Sequence, residues 1–239
     1  ERGLVRAIGE AAVRFREDPV RLLRALKLVG QCEFTLAPDT ESALWASLPL
    51  IALSSRSRLS LELEKILHQP WSDAIFAAFQ RYGFMAHYLP YLNERWDTPA
   101  GDYLRQMLSA RNARIRRGAY RRPSLSLAAA TVALPMAELA LGHAPGELWE
   151  YGPGVEELLR EMVFDLFQPN PLPKRVMYDA LNIIMAQPRL REKRPKPRLL
   201  RHPGYWHARE LMLLQNEIHW HDPELAECWP PAEPHRHHR

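Results

Sequence analysis

The chain is 239 residues long, 46% hydrophobic and 25% charged, and its 32 lysines and arginines exceed its 28 acids by a formal +4. That is an ordinary globular composition, and no apolar run approaches the roughly 20 residues needed to cross a bilayer, so membrane-spanning classes are excluded. Its two cysteines, Cys32 and Cys228, make no disulfide framework and match no metal-ligand spacing; with no signal peptide legible, a reducing cytoplasm is the default compartment.

In chain order, the first informative stretch is Arg14-Phe15-Arg16-Glu17-Asp18-Pro19-Val20-Arg21-Leu22-Leu23-Arg24-Ala25. Asp18 stands where an N-cap is favoured and Pro19 where a first helical residue is favoured, which predicts a helix over about 18–29. Asp18, Arg21 and Arg24 are three apart and share a face, while Leu22, Leu23, Leu26 and Val29 supply an apolar stripe. The ridge carries acceptors and donors together, as the edge of a nucleobase requires. Helix capping and a solvated arginine face account for the same residue types without a ligand.

Pro38-Asp39 opens a second helix, with Leu44, Trp45 and Leu48. Ser54-Ser55 precedes a third, in which Leu59, Leu63, Ile66 and Leu67 recur at helical spacing. Trp71-Ser72 starts a fourth, with Ile75, Phe76 and Phe79, and Gly83 is placed to end it. Leu104, Met107 and Leu108 point to a helix running into a cluster of arginines. Leu125 to Leu141 reads as an apolar helix that Pro135 kinks or breaks. Val155 to Phe167, Lys174 to Ala186 and Tyr205 to His219 complete the series. No segment alternates regularly as a strand would, so the expected class is all-α.

Proline marks the joints. Pro169, Pro171 and Pro173 stiffen one connection, and Lys193-Arg194-Pro195-Lys196-Pro197-Arg198 reads as extended and basic with no packing surface of its own. Pro230 to Arg239 reads as a disordered tail. The expected organisation is a helical domain over 1–92, a helical body over 93–187, and a basic arm and tail over 188–239.

Positive charge is concentrated in two places. Arg111, Arg114, Arg116, Arg117, Arg121 and Arg122 fall in twelve residues without an acid, and Arg189, Arg191, Lys193, Arg194, Lys196, Arg198 and Arg201 are interrupted only by Glu192. Such clusters neutralise phosphates without reading sequence, and the nearby Tyr120, Tyr205 and Trp206 are suited to stacking on unpaired bases. A solvated surface explains the first cluster equally well; the second, followed by an aromatic pair, points to RNA. His219, His221 and Cys228 lack a fourth ligand for zinc, and His235, His237 and His238 are a polar terminus or an adventitious metal site. Glu62 and Glu64 lie on different helix faces and are not a paired carboxylate site.

The run from Arg14 to Gly30 resembles the neck of bacterial poly(A) polymerases and the closely related tRNA nucleotidyltransferases, whose signature is aromatic-x-E-D-P-x-R-x-x-R-A. Phe34-Thr35-Leu36-Ala37-Pro38-Asp39-Thr40, Arg58-Leu59-Ser60-Leu61-Glu62 with Lys65-Ile66-Leu67, and Tyr82-Gly83-Phe84 with Leu89-Pro90 are similar to the segments that follow. Leu172-Pro173-Lys174-Arg175 and Leu199-Leu200-Arg201-His202-Pro203 resemble late segments of the poly(A) polymerase branch. The similarity runs over roughly residues 4 to 230 and is strongest in the first ninety.

The resemblance implies that ATP is the substrate and that Asp18 and Arg21 read its base, with Glu17 orienting the arginine and Arg24 supporting it. Arg58 matches a neck arginine and is expected among the RNA-binding residues, with a helix-end salt bridge as the alternative. The partners implied are single-stranded RNA 3′ ends or tRNA and a catalytic head in cis upstream; the charge clusters put the RNA contacts at Arg114, Arg116, Arg117, Arg194, Lys196 and Arg198. Catalysis in the family uses a Gly-Gly loop and an Asp-x-Asp pair that holds magnesium. This sequence has no Gly-Gly, and its aspartates (18, 39, 73, 97, 102, 165, 179 and 222) are never two apart. The chain is therefore expected to lack the head, with magnesium belonging to that head alone. Three readings follow: part of an enzyme adding AMP to RNA 3′ ends, part of a CCA-adding enzyme, or a head-less RNA-binding protein.

Overall fold

The structure, a computed structural model, describes residues 3–119, 123–147 and 149–231. The chain forms two compact units, Glu1–Trp96 with Asp165–Leu172, and Asp97–Phe164 with Pro173–Arg239.

The first unit is built on helices α1 (Ala11–Glu17), α2 (Val20–Cys32), α3 (Pro38–Ser47), α4 (Arg56–His68), α5 (Ser72–Arg81), α6 (Met85–Tyr88) and α7 (Pro90–Arg95), with a 3-10 turn over Leu48–Leu53. The apolar stripe of α2 is fully inside: Leu22, Leu23, Leu26 and Val29 are all buried, and the helix packs on α5. Gly30 makes that packing possible. A Cβ there would stand 2.5 Å from the Ile75 Cα and 2.7 Å from the Ala74 carbonyl, so the two backbones meet with nothing between them. Phe79 packs edge-on to Phe84 and Tyr88, and the buried Tyr88 hydroxyl donates to the Leu59 carbonyl at 2.7 Å, tying α6 to α4. Burial raises the Tyr88 hydroxyl well above its ordinary value, so it remains a donor.

Two strand fragments depart from the all-helical expectation. Leu4–Val5 (β1) pairs in parallel with Thr35–Leu36 (β2), in register Leu4 to Thr35 and Val5 to Leu36. Two residues are too few to show alternation, and the partners are 31 positions apart, so local pattern carries no trace of the pairing.

The second unit contains α8 (Pro99–Arg116), α9 (Leu125–Ala140), most of α10 (Val155–Leu166), α11 (Lys174–Met185), α12 (Gln187–Arg191), α13 (Pro197–Leu200), α14 (Tyr205–Gln215) continued by a π turn (Asn216–Trp220), and α15 (Pro223–Cys228). Helix α9 is its axis: every residue from Leu127 to Glu138 is buried, and α8, α11 and α14 pack around it. A helix apolar on all sides must be surrounded. Pro135 does not end it, because the packing on every side holds the helix together through the lost hydrogen bond.

Residues 192–198 of the arm are exposed, with 194–196 outside any helix, and it is the root of the arm that is packed. Leu190 is buried, the buried Trp229 donates its indole N–H to the Leu190 carbonyl at 2.7 Å, and Lys193 bonds Asp222 at 2.7 Å and Glu224 at 3.1 Å. The segment from α15 to Pro230 folds back to anchor the root of the arm, a contact between residues more than thirty apart. Tail residues 232–239, with His235, His237 and His238, lie outside the described residues.

Candidate nucleic-acid interface

The chain turns between α1 and α2 at Asp18, whose extended backbone (φ −147°, ψ 94°) suits an N-cap. Its Oδ1 accepts from the Val20 N–H at 3.3 Å, and Arg58, at the start of α4, donates one nitrogen to both carboxylate oxygens at 3.2 Å. Beside it, Glu17 takes Arg14 at 2.6 Å and Arg21 at 2.9 Å, and Arg21 also donates to the Arg14 carbonyl at 2.9 Å. The hydrogen bond from Arg21 holds the Glu17 carboxyl below its ordinary value; burial opposes it, and the Arg14 charge adds to the lowering.

Glu17, Asp18 and Arg21 thus stand together at one turn with Arg58 of α4 against it, an alternating set of carboxylates and guanidinium groups. Asp18 offers acceptors only and Arg21 donors only, which matches an exocyclic amino group beside a ring nitrogen. Arg24 does not join them. It faces Glu62 of α4 at 3.8 Å, where Lys27 stands at 3.9 Å and Lys65 at 2.8 Å. The sequence set Glu62 aside as no paired-carboxylate site and gave no sign of Arg24 and Lys27, which reach it from α2. The available signal was its place among Leu59, Leu63 and Ile66, the residues that face the core.

The arginines of α8 separate by depth. Arg111 is buried in the core, which removes it from any surface cluster. Arg114 is engaged by Glu210 at 3.0 Å and Glu217 at 3.6 Å. Arg116 and Arg117 are exposed at the helix end; Tyr120, Arg121 and Arg122 lie outside the described residues. In the arm, Arg194, Lys196 and Arg198 are exposed, with Lys196 3.4 Å from Glu192. Arg191 instead lies over the Trp220 ring at 3.2 Å. Tyr205 is buried with its hydroxyl donating to the Pro230 carbonyl, so it is no stacking platform; Trp206 is half-buried against His207. His219 packs edge-on to Tyr103, and the Cys228 thiol donates to the Lys193 carbonyl.

Residues 33–95 match the family model described as the probable RNA and SrmB-binding site of polymerase A. The CCA-adding enzyme of Geobacillus thermodenitrificans is 40% identical over 116 residues, 48% of this chain and 28% of that protein. Poly(A) polymerase I of Escherichia coli O157:H7 is 25% identical over 222 residues, 90% of this chain and 48% of that protein. This chain is homologous to the bacterial CCA-adding enzymes and poly(A) polymerases. It spans about half the length, or less, of the curated relatives it matches. The crystal structure of the Bacillus stearothermophilus CCA-adding enzyme in complex with CTP aligns with a TM-score of 0.48 at 25% identity, over 98% of this chain and 48% of that one. The residues matched by that family model run from β2 to α7 and include Arg58 and Glu62.

Proposed function

We propose that this chain is the RNA- and ATP-binding part of a poly(A) polymerase-like nucleotidyltransferase that acts in the cytoplasm. The supporting observation is the length of the match: similarity to poly(A) polymerase I runs over 222 residues, through both units, against 116 for the CCA-adding enzyme. In the complete enzyme an RNA 3′ hydroxyl attacks the α-phosphate of ATP, AMP is added and pyrophosphate leaves. A head in cis supplies the magnesium-binding carboxylates; the residues here select the base and hold the RNA.

Asp18 accepts from the adenine amino group while Arg21 donates to a ring nitrogen. Glu17 fixes the Arg21 guanidinium, and Arg58 orients the Asp18 carboxylate. Arg24 stands one helical turn further along α2. Arg116, Arg117, Arg194, Lys196 and Arg198 hold the RNA backbone through charge, with Arg114 as the internal brace of that surface.

The CCA-adding reading stays in play because its relatives carry the higher identity, 40% against 25%. Binding of labelled oligoadenylate, and of a transfer RNA lacking its terminal CCA, separates the two. Comparable or stronger binding of oligoadenylate supports poly(A) addition; a clear preference for the transfer RNA overturns it. Reading the coding DNA upstream for a Gly-Gly loop and an Asp-x-Asp pair tests the head itself, and its absence would favour a stand-alone RNA-binding protein.

A further inference from the structure

Glu62 is a carboxylate with 6% of its surface exposed, and three cations surround it. Lys65 donates to its Oε1 at 2.8 Å, but Arg24 stands 3.8 Å from Oε1 and Lys27 3.9 Å from Oε2, both beyond hydrogen-bond distance. One negative charge therefore gathers three positive ones. Two of the cations are held by attraction alone, with donors that reach no acceptor among the described residues. Lys27 is the sharpest case: its side chain is only 18% exposed, yet its ammonium group stands beyond hydrogen-bond distance of Glu62. A partly buried cation with unused donors is best completed by an anion that accepts from them.

We infer that Arg24, Lys27 and Lys65, gathered on Glu62, form a phosphate-binding site on the first unit. Glu62 is the positioning residue. It holds the three cations within one anion's reach, and the surplus charge remains for the ligand. Arg24 and Lys65 are more than half exposed and close on a phosphate from the solvent side, while Lys27 forms the floor. Arg24 follows Arg21 by three residues of α2, about 4.5 Å along the axis at 1.5 Å per residue. A base at Asp18 and Arg21 and a phosphate at this site are thus within the span of one nucleotide. That the phosphate belongs to RNA or to a nucleotide rests on the proposed function; that the site takes phosphate does not.

The probe for the site itself is sodium tripolyphosphate, titrated calorimetrically into the whole chain at low salt. Lys27→Met, which keeps the stem, and Lys65→Ala are each expected to weaken its binding about tenfold, the usual scale for a lost charge-assisted hydrogen bond. Melting temperatures check that both variants fold, and Lys65→Ala removes an exposed group should Lys27→Met fail to do so. No binding by the parent, or equal binding by parent and folded variants, overturns the site whatever the chain's function.

Two further arms identify the source of the phosphate. A smaller salt slope for single-stranded RNA in Lys27→Met assigns the site to the RNA backbone. An unchanged RNA slope with weakened ATP binding assigns it to the triphosphate. A parent that binds tripolyphosphate but neither RNA nor ATP keeps the site and overturns the proposed function instead.

Discussion

Arg58 lies forty positions from Asp18 in sequence, yet one of its nitrogens stands 3.2 Å from both Asp18 carboxylate oxygens. The same carboxylate caps α2 through Val20, so a single side chain sets the start of one helix and its attachment to another. The capping role and the base-reading role need the same geometry. A cap alone, however, changes little when an amide oxygen replaces the carboxylate, since Asn and Asp cap comparably.

Asp18→Asn separates the two roles. The amide keeps an oxygen for the Val20 N–H, so thermal stability is expected to change by less than about 1 kcal/mol, since the broken ion pair is partly exposed. Its NH2 cannot accept from the adenine amino group. The preference for ATP over CTP, measured by equilibrium binding, is expected to fall by about 1–3 kcal/mol, the scale of one base-edge contact. An unchanged preference returns Asp18 to capping alone.

Buried Glu138 gives the second unit a falling stability with pH. Burial raises its carboxyl to about 8, above an ordinary value of 4.5; Glu147 adds to the rise, while the Gly146 N–H at 2.8 Å and the Arg191 charge oppose it. The folded state therefore keeps a proton that the unfolded state releases between these values, and stability is lost as pH rises from about 4.5 through about 8. Glu138→Gln keeps an acceptor for Gly146 and cannot ionise. Melting temperatures taken from pH 5 to pH 8.5 should fall more gently in this variant, the difference at the upper end being on the order of a few kcal/mol. Parallel curves for parent and variant would remove Glu138 as the cause.

Gly30→Ala tests the contact between α2 and α5. The added methyl meets Ile75 and Ala74 backbone atoms at under 3 Å, which no side-chain rotation relieves. A loss of at least about 2 kcal/mol in urea unfolding is expected, against the gain of roughly 1 kcal/mol that alanine brings inside an unobstructed helix. A stabilised variant would show that the helices are further apart than this packing requires.

For the arm, neutralising Arg194, Lys196 and Arg198 together should weaken single-stranded RNA binding and reduce the magnitude of its salt slope by about two, at roughly 0.7 per phosphate neutralised. All three are exposed, so the melting temperature should hold. Anisotropy titrations at several salt concentrations decide; identical slopes exclude this segment as the RNA contact.

The chain by itself is expected not to extend RNA, because no two of its aspartates are spaced to hold paired metals. Incubation with ATP, magnesium and short oligoadenylate, resolved on a gel, should show no added nucleotides. Elongation that persists through repurification would refute this.

The sequence by itself determined most of the longer helices and their inward faces, though not the short helices such as α1 and α15. Leu22, Leu23, Leu26 and Val29 recur at the helical period, and burying that stripe is the dominant gain in folding, so the pattern and the structure coincide. It also determined the Glu17, Asp18 and Arg21 turn, since capping and i to i+4 pairing are local. What joins distant stretches belonged to the tertiary structure alone. Which acid Arg24 meets depends on how α4 lies beside α2, and nothing near residue 24 encodes Glu62. The β1–β2 pairing, the continuation of α9 past Pro135 and the anchoring of the arm by Trp229 are of the same kind. Each is a contact between segments whose own patterns are silent about it, because side-chain periodicity reports which face is buried and not what is buried against it.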